Sequence, residues 1–219
     1  GLSVRSEEGT PQGSPLSPLL SNVMLNELDK ELERRGLPFV RYADDSMIFC
    51  RSKRAAERVR ESITNFIEGR LHLKVNKEKT VVSYGRGVKY LGYSFYINKG
   101  KCLLTVHPKT KAKMRRRLKE LTGRSNGMGY AKRKKELRLY IKGWVNYYHL
   151  ATMKRLTEET DEWLRRRLRM CIWKSWKLPK TRIKNLIKCG INKYNARRWG
   201  HVKGLLESSR DTDYAHGCI

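Results

Sequence analysis

Two adjacent carboxylates, Asp44 and Asp45, lie between apolar runs formed by Phe39, Val40 and Tyr42 on one side and Met47, Ile48 and Phe49 on the other. The runs predict two short strands, residues 38–42 and 46–50, joined by a tight turn. Asp is common in turns because its side chain bonds nearby backbone, so a plain turn is one explanation. Two carboxylates about 4 Å apart repel by roughly 4 kcal/mol at an effective dielectric near 20. A divalent cation would offset that repulsion. Hard oxygen donors suit Mg²⁺, which takes a few carboxylates and fills its shell with water and substrate phosphates. Carboxylates at the end of a rigid scaffold are what two-metal phosphoryl transfer requires.

Other metal and nucleophile chemistry is poorly supported. The five cysteines, Cys50, Cys102, Cys171, Cys189 and Cys218, have no short paired spacing. That argues against zinc and against a disulfide framework, and favours reduced intracellular thiols. The five histidines show no ligand spacing, and His72 and His149 are expected to be structural.

The net charge is +28, and it is uneven. Residues 1–98 carry 16 Lys+Arg against 12 Asp+Glu, a net of +4; residues 99–219 carry 33 against 9, a net of +24. A polyanion partner explains such asymmetry more readily than solubility does. Histone-like packing and an anionic membrane surface are the alternatives. Regular aromatics in the basic half favour a folded nucleic-acid binder. No stretch approaches the roughly 20 apolar residues of a membrane span. Residues 1–10 are polar, so no leader is expected, and the chain lacks an initiator Met, so it is expected to be part of a longer protein.

Ser17-Pro18 predicts a helix start with Ser17 as cap. Leu20, Met24, Leu28 and Leu32 continue it until Gly36. Ser52 caps a second helix whose stripe is Ala56, Val59, Ile63, Phe66 and Ile67, ending at Gly69. Residues 80–84, 88–97 and 101–107 predict strands separated by Gly-containing turns. After Pro108 the periodicity is helical throughout. Met114, Leu118 and Leu121 form one stripe. Leu137, Tyr140, Ile141, Trp144 and Tyr148 form a second, and Leu156, Trp163, Leu164, Leu168, Cys171 and Ile172 a third. Ile183, Leu186 and Ile187 suggest a shorter fourth. The fold class is α+β: antiparallel strands with helices, then an all-helical basic region. The expected boundary lies near residues 98–108.

Four motifs stand in order around the acidic pair. Gly9-Thr10-Pro11-Gln12-Gly13-Ser14-Pro15-Leu16-Ser17-Pro18-Leu19-Leu20-Ser21-Asn22 precedes it, and Arg41-Tyr42-Ala43-Asp44-Asp45 contains it. Leu73-Lys74-Val75-Asn76-Lys77-Glu78-Lys79-Thr80 and Tyr90-Leu91-Gly92-Tyr93 follow. Together they resemble the palm of reverse transcriptases. Gly143-Trp144-Val145-Asn146-Tyr147-Tyr148, Trp163-Leu164-Arg165-Arg166-Arg167-Leu168-Arg169 and Trp173-Lys174-Ser175-Trp176-Lys177 resemble the maturase-specific thumb of group II intron proteins. Retron and CRISPR-associated reverse transcriptases share the palm motifs but match this thumb less well.

The resemblance implies a partial right-hand polymerase palm over residues 1–100, a maturase-specific thumb over 105–190 and a C-terminal tail over 191–219. It implies an RNA-directed DNA polymerase in which Asp44 and Asp45 hold Mg²⁺ for attack of a primer 3′-hydroxyl on a deoxynucleoside triphosphate. Gln12 and Gly13 would border the incoming nucleotide, Gly13 by letting the backbone approach closely; Pro-Gln-Gly is also an ordinary turn. Ala43 would keep bulk away from the primer terminus, or simply fit a tight hairpin. Lys79 would approach the triphosphate, or be a solvated lysine. Leu91 and Gly92 would grip the primer, or form a plain turn.

In the thumb, Lys109, Lys113, Arg115, Arg116 and Arg117 would contact phosphates of a template-primer duplex or of intron RNA; a solvated basic face is the alternative. Trp144 and Tyr148 fall on the core stripe, whereas Tyr147 lies off it and is available to stack on a base. The implied partners are intron RNA, an RNA/DNA template-primer and deoxynucleoside triphosphates, with no membrane. The implied location is the bacterial cytoplasm, with nucleoid or ribonucleoprotein association. Oligomeric state is left open.

Against the family pattern, the other metal-binding Asp, the fingers and the first part of the palm are expected to be missing. A catalytically incomplete RNA-binding maturase fragment, or a truncated gene product, is therefore the alternative. The sequence shows no nuclease-type His/Cys cluster. Residues 205–219 are polar and aperiodic. Allowed codons for them, read with one base dropped, spell Tyr-Trp-Arg and an apolar continuation similar to the family's. A frameshifted, disordered tail is the expectation there.

Overall fold

The computed structural model describes residues 15–201, most of them in helices, with two short hairpins. The chain divides into two compact units between Leu91 and Gly92. The expectations for Gln12, Gly13 and residues 205–219 fall outside the described residues.

In the first unit, α1 (Ser17–Arg34) begins one residue earlier than the Ser17 cap predicts. Leu16 already has helical φ and ψ and takes the cap position, and its carbonyl accepts from Leu20 N at 3.0 Å. Leu28 and Leu32 are buried, while Leu20 and Met24 are 41% and 44% exposed, so only half of the predicted stripe enters the core. Gly36 follows in the left-handed region at φ 63°, which glycine adopts at little cost. β1 (Phe39–Tyr42) and β2 (Asp45–Ile48) pair antiparallel, Phe39 opposite Ile48 and Tyr42 opposite Asp45. α2 (Lys53–Gly69) is capped as predicted, with the Ser52 hydroxyl accepting from Ala55 N at 3.2 Å. Leu28, Leu32, Ile63 and Leu71 form the core, and Phe39 and Ile48 pack onto it from the base of the hairpin.

The strand predicted at residues 80–84 does not form. Val81 and Tyr84 are 72% and 77% exposed. Strand stability comes from cross-strand partners, and this run has none among the described residues. Asn76 instead organises the preceding segment as a turn, its carbonyl accepting from Lys79 N and Thr80 N and its side chain from Lys79 N.

The second unit opens with the hairpin β3 (Tyr93–Asn98) and β4 (Lys101–Val106). Its loop, Lys99-Gly100, has positive φ at both positions, the I′ geometry that matches strand twist. Next come α3 (Pro108–Leu121), α4 (Tyr130–Tyr147), α5 (Lys154–Ser175) and α6 (Pro179–Lys188). The predicted stripes of the first three meet in one core: Met114, Leu118, Leu121, Leu137 and Leu164 are buried, with Trp144, Trp163 and Leu168 packed against them. The sequence predicted no element beyond α6. An eight-residue α7 (Lys193–Gly200) nevertheless forms, capped by Asn192, and closes a second cluster of Trp173, Leu186, Ala196 and Trp199.

Candidate active site and nucleic-acid interface

The hairpin register puts Ala43 and Asp44 in the two-residue loop and Asp45 on the first position of β2. The two acids are therefore not equivalent: Asp44 is the apex and Asp45 a strand residue. Both are exposed. Exposure lowers the repulsion expected between them to about 1 kcal/mol, the value for charges in water. Ala43 has φ 54°, a conformation that glycine normally supplies at the first position of such a loop.

Arg41 stabilises this loop from behind. Its guanidinium donates to both oxygens of Asp29 on α1, to Asn22 Oδ1 at 2.9 Å and to the Ala43 carbonyl at 2.9 Å. Asp29 in turn holds Arg41 more firmly charged than a free arginine. The Tyr90 hydroxyl donates to the Asp45 carbonyl at 3.3 Å, and burial, reinforced by the Asp45 charge, pushes that phenol's pKa up. The sequence carried Asn22, Arg41 and Tyr90 inside motifs but gave them no part in holding the acids, and it gave no sign of Asp29.

The donor chemistry of the tip fits Mg²⁺: two exposed carboxylates with hard oxygens and room for water and phosphate. Among the described residues, no group of three or more His, Cys, Asp or Glu is arranged to hold a metal ion. Lys79 is exposed in the Asn76 turn.

Leu91 and Gly92 form a turn in which both residues are left-handed, φ 50° and 84°. Within the second unit, Gly92 is closely enclosed. A Cβ there would lie 2.4 Å from Tyr148 Oη, so the phenol occupies the space a side chain would need. The Gly92 carbonyl accepts from His107 N and from Thr110 Oγ1, each at 3.0 Å. Tyr148 packs at 4.7 Å from Trp144 and 5.2 Å from Tyr93, between ring centroids. Tyr147 is 53% exposed, but Tyr93 stacks on it at 6.2 Å and donates its hydroxyl to the Tyr147 carbonyl. One face of Tyr147 is therefore engaged inside the protein. His149 is exposed, and its Nδ1 lies 2.7 Å from the Asn146 carbonyl.

The basic residues of the second unit fall into two kinds. Lys109, Lys113, Arg115, Arg116 and Arg117 are all exposed on α3. Arg115 lies over the Trp163 ring at 5.0 Å and Arg117 pairs with Glu120 at 3.0 Å; among the described residues no ion pair holds Lys109, Lys113 or Arg116. Other arginines turn inward. Arg133 is 7% exposed and donates to the carbonyls of Leu121 and Gly123 and to Asn126 Oδ1. Arg167 donates to the Lys119 and Thr122 carbonyls and to Thr122 Oγ1, and also faces Trp163. These two satisfy carbonyls at the C-terminal end of α3, where a helix lacks internal donors and favours positive charge.

No helix among the described residues is long and apolar enough to cross a membrane.

The family model described as reverse transcriptase (RNA-dependent DNA polymerase) matches residues 3–95, and that of the group II intron maturase-specific domain matches residues 111–190. The chain is 31% identical to protein YkfC of Escherichia coli K12 over 128 residues, 42% of this chain and 34% of that protein. It is 35% identical to the retron Ec86 reverse transcriptase of Escherichia coli over 79 residues, 33% of this chain and 24% of that protein. It is 24% identical to the group II intron-encoded protein LtrA of Lactococcus lactis subsp. cremoris over 160 residues, 43% of this chain and 27% of that protein. The alignments thus span about a quarter to a third of these relatives' lengths. The maturase-specific match sits on α3 to α6. A polymerase palm followed in one chain by that helical domain places the chain in the group II intron reverse transcriptase/maturase family.

Proposed function

We propose that this chain supplies the acidic tip of an RNA-directed DNA polymerase and binds RNA through its basic helical unit, serving intron splicing and retrohoming. The observation that carries the reading is the braced hairpin, in which Arg41, Asp29 and Tyr90 hold Asp44 at the apex and Asp45 at the start of β2, both exposed. Asp44 and Asp45 would hold Mg²⁺, which when bound polarises the triphosphate and lowers the pKa of a primer 3′-hydroxyl. Ala43 leaves the primer terminus room beside the acids. Lys79, with Gln12 and Gly13, would receive the incoming nucleotide, and Leu91-Gly92 the primer backbone. Lys109, Lys113, Arg115, Arg116 and Arg117 would contact RNA phosphates, and Tyr147, 53% exposed, would contact a base.

A second reading has a specific observation in its favour. Only two carboxylates come together at the tip among the described residues, so the chain by itself would bind RNA without polymerising. Extension of oligo(dT) on poly(rA) with Mg²⁺ separates the two. The expected result is no extension by this chain alone, together with RNA affinity that falls steeply with salt as phosphates are neutralised. Robust extension that is lost in Asp44→Asn and Asp45→Asn would overturn the second reading and retain the first. A flat salt response would remove RNA binding from both.

A further inference from the structure

The basic residues of α3 do not form one surface. Lys109, Lys113 and Arg116 follow one another at helical spacing on an outer face. Lys111 and Arg115 lie one turn apart on another face, beside the buried Met114, and line a cleft of about 850 Å³ between α3, β4 and the start of α5. From α5, Lys154 and Arg155 enter the same cleft, as do Glu158 and Glu159. Arg155 is paired with Glu159 at 2.8 Å, so that couple is internally neutral. What remains is Lys111, Arg115 and Lys154 against Glu158. The loop before α5 is fixed to the strand by Thr152 N donating to the Leu104 carbonyl at 2.9 Å. The cleft therefore has a definite wall, built from residues far apart in sequence.

We propose that this cleft seats a single strand of RNA, separately from the outer face of α3. The inference rests on the RNA-binding reading above and deepens it. Three features select the occupant. The cleft's volume lies within the range of small-molecule pockets, roughly 300–1,000 Å³, which admits one or two nucleotides and excludes a duplex. Its cations match a phosphodiester backbone. Thr105, Thr152 and Thr160 are among its lining residues, and a threonine hydroxyl can donate to or accept from a ribose 2′-hydroxyl.

The test uses the full chain and three fluorescein-labelled probes: oligo(U), an RNA hairpin duplex and oligo(dT). Affinities are read by anisotropy across a salt series. Lys111→Ala with Lys154→Ala is expected to weaken oligo(U) about tenfold at 0.15 M salt. It should lower the steepness of the oligo(U) log–log salt dependence by about 1.4, two single-strand phosphate contacts at roughly 0.7 each, and leave the duplex nearly unchanged. Lys113→Ala with Arg116→Ala is expected to do the reverse. Glu158→Gln removes the unpaired acid and should tighten oligo(U), a gain that misfolding cannot mimic. An unchanged oligo(U) slope in the cleft variant, equal losses from both pairs on both probes, or no gain in Glu158→Gln overturns the cleft assignment while leaving the general RNA reading intact. Oligo(dT) bound as tightly as oligo(U) overturns the choice of RNA. Failure of the unsubstituted chain to bind any probe overturns both.

Discussion

The two units place their charges by opposite rules. In the first unit, the acids project into solvent from the hairpin tip, Asp44 in its loop and Asp45 at the start of β2, and the arginine behind them is turned inward onto Asp29 and the Ala43 carbonyl. In the second unit, many arginines project, and a few turn inward onto helix-end carbonyls. A charged side chain turns inward where acceptors lie in the packed interior, as for Arg133 and Arg167; a carboxylate one turn away on the same helix, as for Arg117 and Arg155, leaves it in solvent. Net charge alone, +4 against +24, does not separate these populations.

The sharpest way to break that distinction is to remove one arginine of each kind. Arg133→Ala removes the donor of the Gly123 carbonyl and one of the two donors of the Leu121 carbonyl, which keeps Asn126 Nδ2 at 3.3 Å, at a 7% exposed site, and should cost about 2 kcal/mol of stability. Arg116→Ala should change stability by less than about 0.5 kcal/mol, while weakening RNA binding and flattening its salt dependence. Urea unfolding and RNA titration of both variants give the two readouts. If Arg116→Ala proved as destabilising as Arg133→Ala, the division into inward and outward cations would fail.

The turn at Leu91-Gly92 extends the comparison from side chains to backbone. Gly92→Ala sets a Cβ against Tyr148 Oη at a left-handed φ, and should destabilise by about 2 kcal/mol. Tyr148→Phe removes the nearest atom, so the double variant should recover part of the loss. The left-handed backbone and the ring carbons at 3.1 Å keep the recovery partial. Full additivity of the two substitutions in a double-mutant cycle would show that the phenol and the glycine do not share that space.

Much of this architecture was legible in the sequence, and the exceptions have physical causes. The stripes of α3, α4 and α5 reach the core as spaced, because each is long enough for periodicity to dominate. The acidic hairpin was legible from its apolar flanks, but its register was not. A shift of one residue separates a turn acid from a strand acid, and only pairing with Tyr42 fixes it. The absent strand at residues 80–84 has apolar side chains without a neighbouring strand among the described residues. α7 escaped notice because its buried positions, Ala196, Trp199 and Gly200, are few and interrupted by Arg197 and Arg198. The roles of Arg133, Arg167 and Asp29 depend on acceptors or donors distant in sequence, which no local pattern records.

Ala43 offers a smaller effect, of opposite sign. At φ 54° an alanine carries about 1–2 kcal/mol of left-handed strain. Glycine would relieve it at an entropic cost of about 0.4–1 kcal/mol, so Ala43→Gly should stabilise the first unit by up to about 1.6 kcal/mol. Thermal unfolding measures it, and a loss of stability would mean that the alanine methyl makes a packing contribution larger than the strain.

The smallest effect distinguishes the units by acid response. Glu31 accepts from Arg34 and Arg35, and these bonds hold its carboxyl at about 2, well below its ordinary 4.5. Because the folded value is the lower one, the associated stability is present above pH 4.5 and is lost as the pH falls toward 2. The pair partners are solvated, so the loss should be modest. Glu31→Gln should flatten this acid limb for the first unit while leaving the response of the second unit unchanged. Amide hydrogen exchange at Leu28 and Leu32, compared with Leu118 and Leu137, reads the two cores separately within one chain. An acid limb of equal depth at both pairs of residues, unaltered by Glu31→Gln, would assign the acid sensitivity elsewhere and remove Glu31 from the set of inward-held charges.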